Sequence, residues 1–206
     1  MPPVAGPAYS RLQTDERRRQ LLEAGARVFT ERSYDDASMA EVARAAGISK
    51  GLLYHYFPSK RDLFVATLEA AAAELREITQ PDPQPPIPEQ FVAVLDAYLR
   101  WIEEHADSYA KLLESATGSD DVRSYMAQMR ASTVERMLEV LVKSGDPAAV
   151  RTTLHGFLWF IDGACLDWLA NRDLTREQLR NLLAATFAGA VSAAAQSGPR
   201  VELAYP

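Results

Sequence analysis

The sequence has little of several residue types, and each shortage excludes a class of protein. It contains one cysteine, Cys165, among 206 residues, which excludes an intrachain disulfide and a cysteine-rich metal site. Its most apolar segment, Leu154–Leu169, contains two aspartates and is too short to span a bilayer. Met1–Leu12 has no apolar run, so no signal peptide is expected. These shortages indicate a cytoplasmic protein, or one of another reducing compartment.

The sequence also lacks the usual marks of catalysis. There is no Gly-rich phosphate loop, no metal-ligand spacing and no nucleophile elbow. His55, His105 and His155 each lack a glutamate three residues earlier, which argues against a di-iron helical bundle. Cys165 lies in an apolar run and is expected to be inert core. The sequence therefore predicts a protein that is not an enzyme and needs no cofactor or metal.

Strand alternation is missing as well, and Ala, Leu, Glu and Arg dominate, so an all-α fold is predicted. The first helix is expected from about Thr14 to Glu31. Ser38-Met-Ala-Glu41 is a capping box that opens a short helix, which Gly47 ends. Ser49 caps a third helix, and Pro58 prevents that helix from continuing through residue 57.

A proline-rich connector separates this region from the remaining helices. Ser59–Asp62 is expected to cap a longer helix, and the five prolines of Gln80–Pro88 make a semi-rigid linker. Further helices are expected at Glu89–Glu104, Asp107–Ser115 and Asp120–Lys143, after Asp146-Pro147, and from a capping box at Thr175–Gln178.

Acidic residues are absent from one short window, although the protein as a whole is acidic. The chain has 28 Asp and Glu against 22 Lys and Arg, yet none of these acids lies between Glu41 and Asp62. Residues 1–65 hold 10 bases and 8 acids, and residues 66–206 hold 12 and 20. Two short helices with a glycine turn between them form a helix-turn-helix, whose second helix enters the DNA major groove. Acids are missing because phosphates would repel them.

The residue types of the second short helix suit contact with DNA. Ser49, Lys50 and Gly51 lie at its start, where free N–H groups attract anions. Gly51 has no side chain, so the backbone there can approach the duplex closely. Tyr54 and Tyr56 carry hydroxyls that can donate to phosphate oxygens.

The next helix opens with two bases, Lys60 and Arg61. Cations gain nothing from the dipole at that end of a helix, so their position indicates an external anion. His55 has no second histidine or carboxylate at metal-ligand spacing, and we expect it to be a surface contact.

These residues match a known family. Ser38-Met-Ala-Glu-Val-Ala-Arg-Ala-Ala-Gly47, Ile48-Ser-Lys-Gly-Leu-Leu-Tyr-His-Tyr-Phe57 and Ser59-Lys-Arg-Asp-Leu63 resemble the DNA-binding domain of the tetracycline-repressor (TetR) family of bacterial regulators, over roughly residues 14–66. The resemblance implies base and phosphate contacts from the recognition helix, and phosphate contacts from Ser38 and Lys60. The residues predicted to contact DNA are Ser38, Arg44, Ser49, Lys50, Gly51, Leu52, Tyr54, His55, Tyr56 and Lys60.

Leu52 departs from the family pattern, because it stands where the family usually has threonine. A leucine cannot donate to a phosphate. It either touches a thymine methyl group or makes no contact.

The C-terminal half offers more apolar helix surface than one chain can cover. Phe157–Ile161 is apolar on every side, and the last helix carries small residues such as Ala188 and Gly189. The resemblance implies a homodimer formed through the last two helices. It also implies a small-molecule effector bound between helices. The residues predicted to line that pocket are Tyr98, Trp101, His105, Tyr109, Tyr125, Met129, His155, Trp159 and Asp162.

The sequence therefore predicts an all-α DNA-binding transcription regulator, acting as a repressor that a small-molecule effector releases from a pseudo-palindromic operator. The domains expected are a flexible N-terminus (1–13), a three-helix helix-turn-helix domain (14–66), a helical effector-binding and dimerisation domain (67–196) and a flexible tail (197–206). An activator and a ligand-independent repressor stay open. A helical protein-binding adaptor is the alternative of another class, but it leaves the acid-free window unexplained.

Overall fold

Helices account for nearly all of the described chain. The computed structural model describes residues 7–82, 84–197 and 200–204, with the backbone alone for residues 7–13 and Thr117. The helices of these ranges are α1 Pro7–Glu31, α2 Met39–Ala45, α3 Lys50–Tyr56, α4 Lys60–Ile78, α5 Ile87–Glu104, α6 Ala106–Gly118, α7 Asp120–Leu141, α8 Ala148–Asn171 and α9 Arg176–Ser197.

The ends of the chain differ from the prediction. α1 begins at Pro7 rather than Thr14, so residues 7–13 are helical, while residues 1–6 lie outside the described part. The tail expected over 197–206 begins with the last residue of α9 and contains a strand, β2, at Val201–Leu203. Residues 198–199 and 205–206 lie outside the described residues.

β2 pairs antiparallel with a second short strand, β1 at Val142–Gly145, which replaces the expected end of a helix at Lys143. The register joins Val142 to Leu203 and Gly145 to Val201, with an irregularity after Val142. Gly145 has φ +96°, and a Cβ there would lie 2.1 Å from the Arg200 carbonyl oxygen. Only glycine fits this position. The strands are too short to give an alternation pattern in the sequence.

The predicted caps of α2, α3, α4 and α9 are confirmed, whereas α8 has Pro147 rather than Asp146 as its N-cap. Ser38 forms a complete capping box. Ser49 and Ser59 each accept a hydrogen bond from the backbone N–H three residues on, at 3.2 and 3.1 Å. Gly47 has φ +66°, the left-handed conformation that ends α2. Thr175 and the glutamine three residues later bond to each other's backbone N–H. These caps give α2, α3, α4 and α9 starting points encoded within a few residues of sequence.

The described chain divides into two compact units. The first runs up to Glu74 and also includes Lys111–Val122; the second comprises Leu75–Ala110 and the chain from Arg123 onward. The first unit thus ends later than the boundary expected after residue 66, and it includes a segment assigned by sequence to the second domain.

The core of the first unit joins α1 to α4. Phe64 packs edge-on against Phe29, with ring centroids 4.9 Å apart, and lies 4.7 Å from the ring of Tyr34. At Gly25 of α1, a Cβ would lie 3.1 Å from the Thr67 methyl carbon. This close approach fixes the position of α4 against α1. The two packed helices support α2 and α3.

The core of the second unit contains α5, α8 and α9. Phe187 of α9 stacks on Phe91 at 4.1 Å and lies 5.0 Å from Phe157. On the surface, Asp96 of α5 accepts from Arg176 and from Arg180 of α9, each at 3.4 Å. Across the ranges that the structure describes, none of the helices has the length and apolar character needed to cross a membrane.

Candidate nucleic-acid interface and polar cluster

α3 faces outward along nearly its whole length. Of its seven residues, all of them described, only Leu53 is buried. Phe57, which ends the helix, is also buried. These two side chains, four positions apart, attach α3 to the core of the first unit. The other side chains of α3 are exposed, except that of Tyr56, which is half-buried, and an external partner can reach them.

The exposed residues of α3 are among the residues predicted to contact DNA. The exposed fraction is 40% for Leu52 and 42% for Tyr54; Lys50 and His55 are also exposed, and Tyr56 is half-buried. The ammonium of Lys50 lies 5.7 Å from the centre of the Tyr54 ring, one turn further along. A cation and an aromatic ring are thus presented side by side.

Gly51 has no internal reason to be glycine. A Cβ there would meet nothing within 4 Å, and its φ is not in the left-handed region. A glycine that neither turn geometry nor packing demands is consistent with a close external approach, as at a DNA backbone.

Two predicted contacts lie on or beside α2. The Ser38 hydroxyl accepts from the Glu41 N–H at 3.3 Å and donates to a carboxylate oxygen of Glu41 at 2.7 Å. The bond from the Ser38 hydroxyl, together with one from the Ser38 N–H at 3.0 Å, holds the pKa of the Glu41 carboxyl below its ordinary value. Arg32 pairs with the same carboxylate at 3.1 Å. Arg44 is exposed, so it is available to a phosphate, whereas the proton of the Ser38 hydroxyl is already donated.

The two bases at the start of α4 have internal partners, whereas their position in the sequence indicated an external anion. The Lys60 ammonium donates to three carbonyl oxygens of the α1–α2 connection, those of Tyr34, Asp35 and Ala37, at 2.9, 3.2 and 3.2 Å. Arg61 Nε donates to Asp121 Oδ1 at 3.0 Å. An external anion is therefore not needed to explain either residue.

Tyr34 joins the same group of contacts. Its hydroxyl donates to Asp121 Oδ2 at 3.2 Å, and its ring is buried against Phe64. Burial and then the Asp121 charge raise the pKa of Tyr34 to about 12. The connection between α1 and α2 is thus held by side chains from α4 and α7.

Replacing Tyr34 with phenylalanine tests this arrangement. Because folding raises the pKa of Tyr34 from 10.0 to about 12, its contribution to stability is complete below pH 10 and disappears as the pH rises through about 12. We expect the phenolate absorbance that distinguishes the native protein from Tyr34→Phe to titrate with a midpoint near 12. A midpoint near 10 would mean that the hydroxyl is not held as described.

In the second unit, Asp162 and three other polar side chains form one cluster. Tyr109 donates its hydroxyl to Asp162 Oδ1 at 2.9 Å, and Arg130 Nη2 donates to Oδ2 at 2.5 Å. Tyr98 lies within hydrogen-bonding reach of Tyr109, and burial raises the pKa of both phenols. Three of these residues were predicted for the effector pocket. Arg130 was not, and its only signal in the sequence is its position one turn after Met126 on α7.

The other residues predicted for the pocket are distributed differently. Trp159 was expected in the interior, but 64% of its surface is exposed, and its ring lies 4.0 Å from the Arg130 guanidinium carbon. Trp101 and His105 stack on each other at 4.5 Å. Tyr125, Met129 and His155 are half-buried on α7 and α8.

Two open grooves lie elsewhere in the second unit. One, of about 600 Å³, is lined by α8 and α9. The other, of about 610 Å³, is lined by α9 and β2. None of the residues predicted for the effector pocket lines either groove. No group of three or more metal-ligating side chains occurs in the described ranges.

α8 and α9 leave an apolar surface uncovered within the chain. Its large members are Trp159, Phe160, Leu166 and Leu182, which are 64%, 42%, 37% and 48% exposed. The same two helices also expose glycines at 156, 163 and 189, where a Cβ would meet nothing within 4 Å. We call this surface the α8–α9 face.

The chain matches two family profiles. The first, described as bacterial regulatory proteins of the tetR family, covers residues 21–67. The second, described as a tetracyclin repressor-like C-terminal domain, covers residues 87–190. The chain belongs to the TetR family. TetR-family proteins are DNA-binding transcription regulators and not enzymes, which confirms those two predictions from the sequence.

Curated relatives match about half of the chain. The HTH-type transcriptional activator FasR of Mycolicibacterium smegmatis is 34% identical over 113 residues, 52% of this chain and 49% of FasR. The regulator BetI of Cronobacter sakazakii is 32% identical over 116 residues, 56% of this chain and 49% of BetI. The alignments thus span about half the length of either relative.

Solved TetR-family structures match more of the chain. A TetR-family regulator from Streptomyces coelicolor superposes with a TM-score of 0.73 at 28% identity, covering 89% of this chain and 84% of that one. A TetR-like regulator from Rhodococcus sp. RHA1 has a TM-score of 0.63 at 22% identity, covering 85% and 96%. The latter likeness concerns the fold alone. The predicted all-α architecture is confirmed, with the β1–β2 pair as an addition.

Proposed function

We propose that the chain forms a homodimer that binds a pseudo-palindromic operator through α3 and regulates transcription there. The exposure of α3, whose residues other than Leu53 are left for a partner, carries this proposal. Two recognition helices related by a two-fold axis read half-sites a helical turn or a multiple apart. Since the partner is bacterial DNA, we infer that the protein acts in the cytoplasm.

The proposed DNA contacts come from α3 and its surroundings. They are Arg44, Ser49, Lys50, Gly51, Leu52, Tyr54, His55 and Tyr56, whereas the hydroxyl proton of Ser38 is already donated to Glu41. Residues 14–66 form the proposed DNA-binding domain, and residues 67–196 the proposed effector-binding and dimerisation domain. Lys60 does not join this set, because all three of its ammonium protons are already donated.

The α8–α9 face supports the proposed dimer. A second copy would cover Trp159 and Phe160, which one chain leaves 64% and 42% exposed. The uncovered glycines let a second pair of helices approach closely. Exposed apolar surface of this kind marks an interaction site on a soluble protein.

The cluster around Asp162 supports a small-molecule effector. It combines a half-buried carboxylate, a guanidinium and two phenols, which are the few convergent polar groups typical of ligand sites. We propose that an effector binding beside this cluster releases the operator, which makes the protein a repressor. Because the relative FasR is an activator, activation is the second candidate. A reporter gene behind the operator distinguishes the two.

Lys50→Met tests the DNA-binding proposal. Removing one base contact from α3 should weaken binding to the protein's own upstream DNA about tenfold and relax the preference at one base pair. Fluorescence anisotropy on operator variants measures both effects. Lys143→Met, which removes an exposed lysine from β1, is the matched control and should change neither. Equal behaviour of the two variants, or no binding by the native protein, would refute the assignment.

A further inference from the structure

Lys60 is bonded in a way that its family position does not predict. An ammonium group has three protons, and here each has an acceptor: the carbonyl oxygens of Tyr34, Asp35 and Ala37, at 2.9, 3.2 and 3.2 Å. The nitrogen also lies 4.7 Å from the centre of the buried Tyr34 ring. The side chain is directed into the α1–α2 connection, and all three of its ammonium protons are donated to carbonyl oxygens there.

The two attachment points of this side chain lie at opposite ends of the helix-turn-helix. Ala37 immediately precedes Ser38, the N-cap of α2. Lys60 is the first residue of α4, and its Cα lies three positions beyond Phe57, the C-cap of α3. One side chain therefore joins the entrance and the exit of the motif. Hydrogen bonds from Lys60 thus link the two ends of the segment that contains α2 and α3.

We propose that Lys60 is a positioning residue: it fixes α2 and α3 in the orientation that reads DNA, and it does not contact phosphate. The inference rests on the DNA binding proposed above. A phosphate contact would require the ammonium to release a carbonyl oxygen next to the buried Tyr34 and Ala37, which would then lack its partner. Lys50 is exposed, so it can bind a phosphate without leaving a buried carbonyl oxygen unpaired.

Two substitutions separate positioning from phosphate contact. Lys60→Arg keeps the charge and suits phosphate well, but its planar fork cannot donate from a single nitrogen to three converging carbonyl oxygens. Lys60→Met removes the charge. We expect both variants to bind the operator about tenfold more weakly, equivalent to one base contact. Affinity for unrelated DNA should change less than twofold, because it depends on phosphate contacts.

The salt dependence of binding gives the decisive comparison. Neither Lys60 variant should change the slope of log affinity against log salt. If Lys60 instead bound a phosphate, Lys60→Met would lower that slope by about 0.9 and weaken binding to all sequences alike. That result, or operator binding by Lys60→Arg equal to the native protein, would overturn the proposal.

Hydrogen exchange in the free protein tests the clamp without DNA, and it also serves if Lys60→Met does not fold. Backbone amides of α2 and of the turn after it should exchange at least tenfold faster in Lys60→Arg than in the native protein. The matched control is Arg76→Lys, which alters an exposed arginine near the other end of α4 and should leave these amides unchanged. Unchanged exchange in Lys60→Arg contradicts the clamp. A native protein that binds no operator instead refutes the proposed function, whatever the exchange result.

Discussion

Gly189→Arg is expected to separate the subunits and to abolish operator binding. A Cβ at Gly189 would meet nothing within 4 Å in the single chain, so the fold itself has room for the arginine. In the proposed dimer the same position lies on the α8–α9 face, where a buried, unpaired charge is strongly unfavourable. A monomer offers one recognition helix instead of two, so operator affinity should fall by at least about 100-fold, because avidity no longer contributes.

Light scattering at micromolar concentration and anisotropy with operator DNA measure the two effects. Ala127→Arg is the matched control: it introduces the same charge at an exposed position of α7 and should leave both the dimer and its affinity intact. A native protein that is already monomeric contradicts the dimer, and so does a Gly189→Arg variant that remains dimeric.

Arg130→Met is expected to destabilise the second unit more than any single surface substitution. The side chains of Arg130 and Asp162 are only 12% and 16% exposed. Removing the guanidinium leaves the Asp162 carboxylate with Tyr109 and no opposite charge. Breaking a buried pair in this way costs about 3 kcal/mol of unfolding free energy.

Urea denaturation followed by circular dichroism measures the destabilisation. The double variant Arg130→Met/Asp162→Asn removes both charges and should recover much of the stability, because no uncompensated carboxylate remains. Arg136→Met is the matched control on the same helix: its side chain donates to hydroxyls one turn earlier and is exposed. If Arg130→Met and Arg136→Met lower the urea midpoint equally, the pair has no special role.

The features that the sequence predicted correctly are those whose signals are local. The caps at Ser38, Ser49 and Thr175 need partners only three residues away, and Gly47 ends its helix by its own conformation. The family motif is also continuous in sequence. Such features can be read without knowing the tertiary structure.

The features that the sequence missed depend on distant partners. Lys60 bonds to carbonyl oxygens 23 to 26 residues away, and backbone acceptors leave no trace in residue types. Arg130 and Asp162 are 32 residues apart. Trp159 lies in a segment of α8 that is apolar on every side. The sequence therefore does not show which face of this helix packs against the rest of the chain.

The β1–β2 pair connects the ends of α7 and α9. Ser144 and Glu202 are 58 residues apart, yet they face each other across the two strands, and Ala204 N donates to the Leu141 carbonyl at 2.8 Å. α9 is therefore fixed to α8 by the short turn at one end and to the end of α7 by the strands at the other. The β1–β2 pair therefore couples the chain that follows α7 to the chain that follows α9, two segments that lie far apart in the sequence.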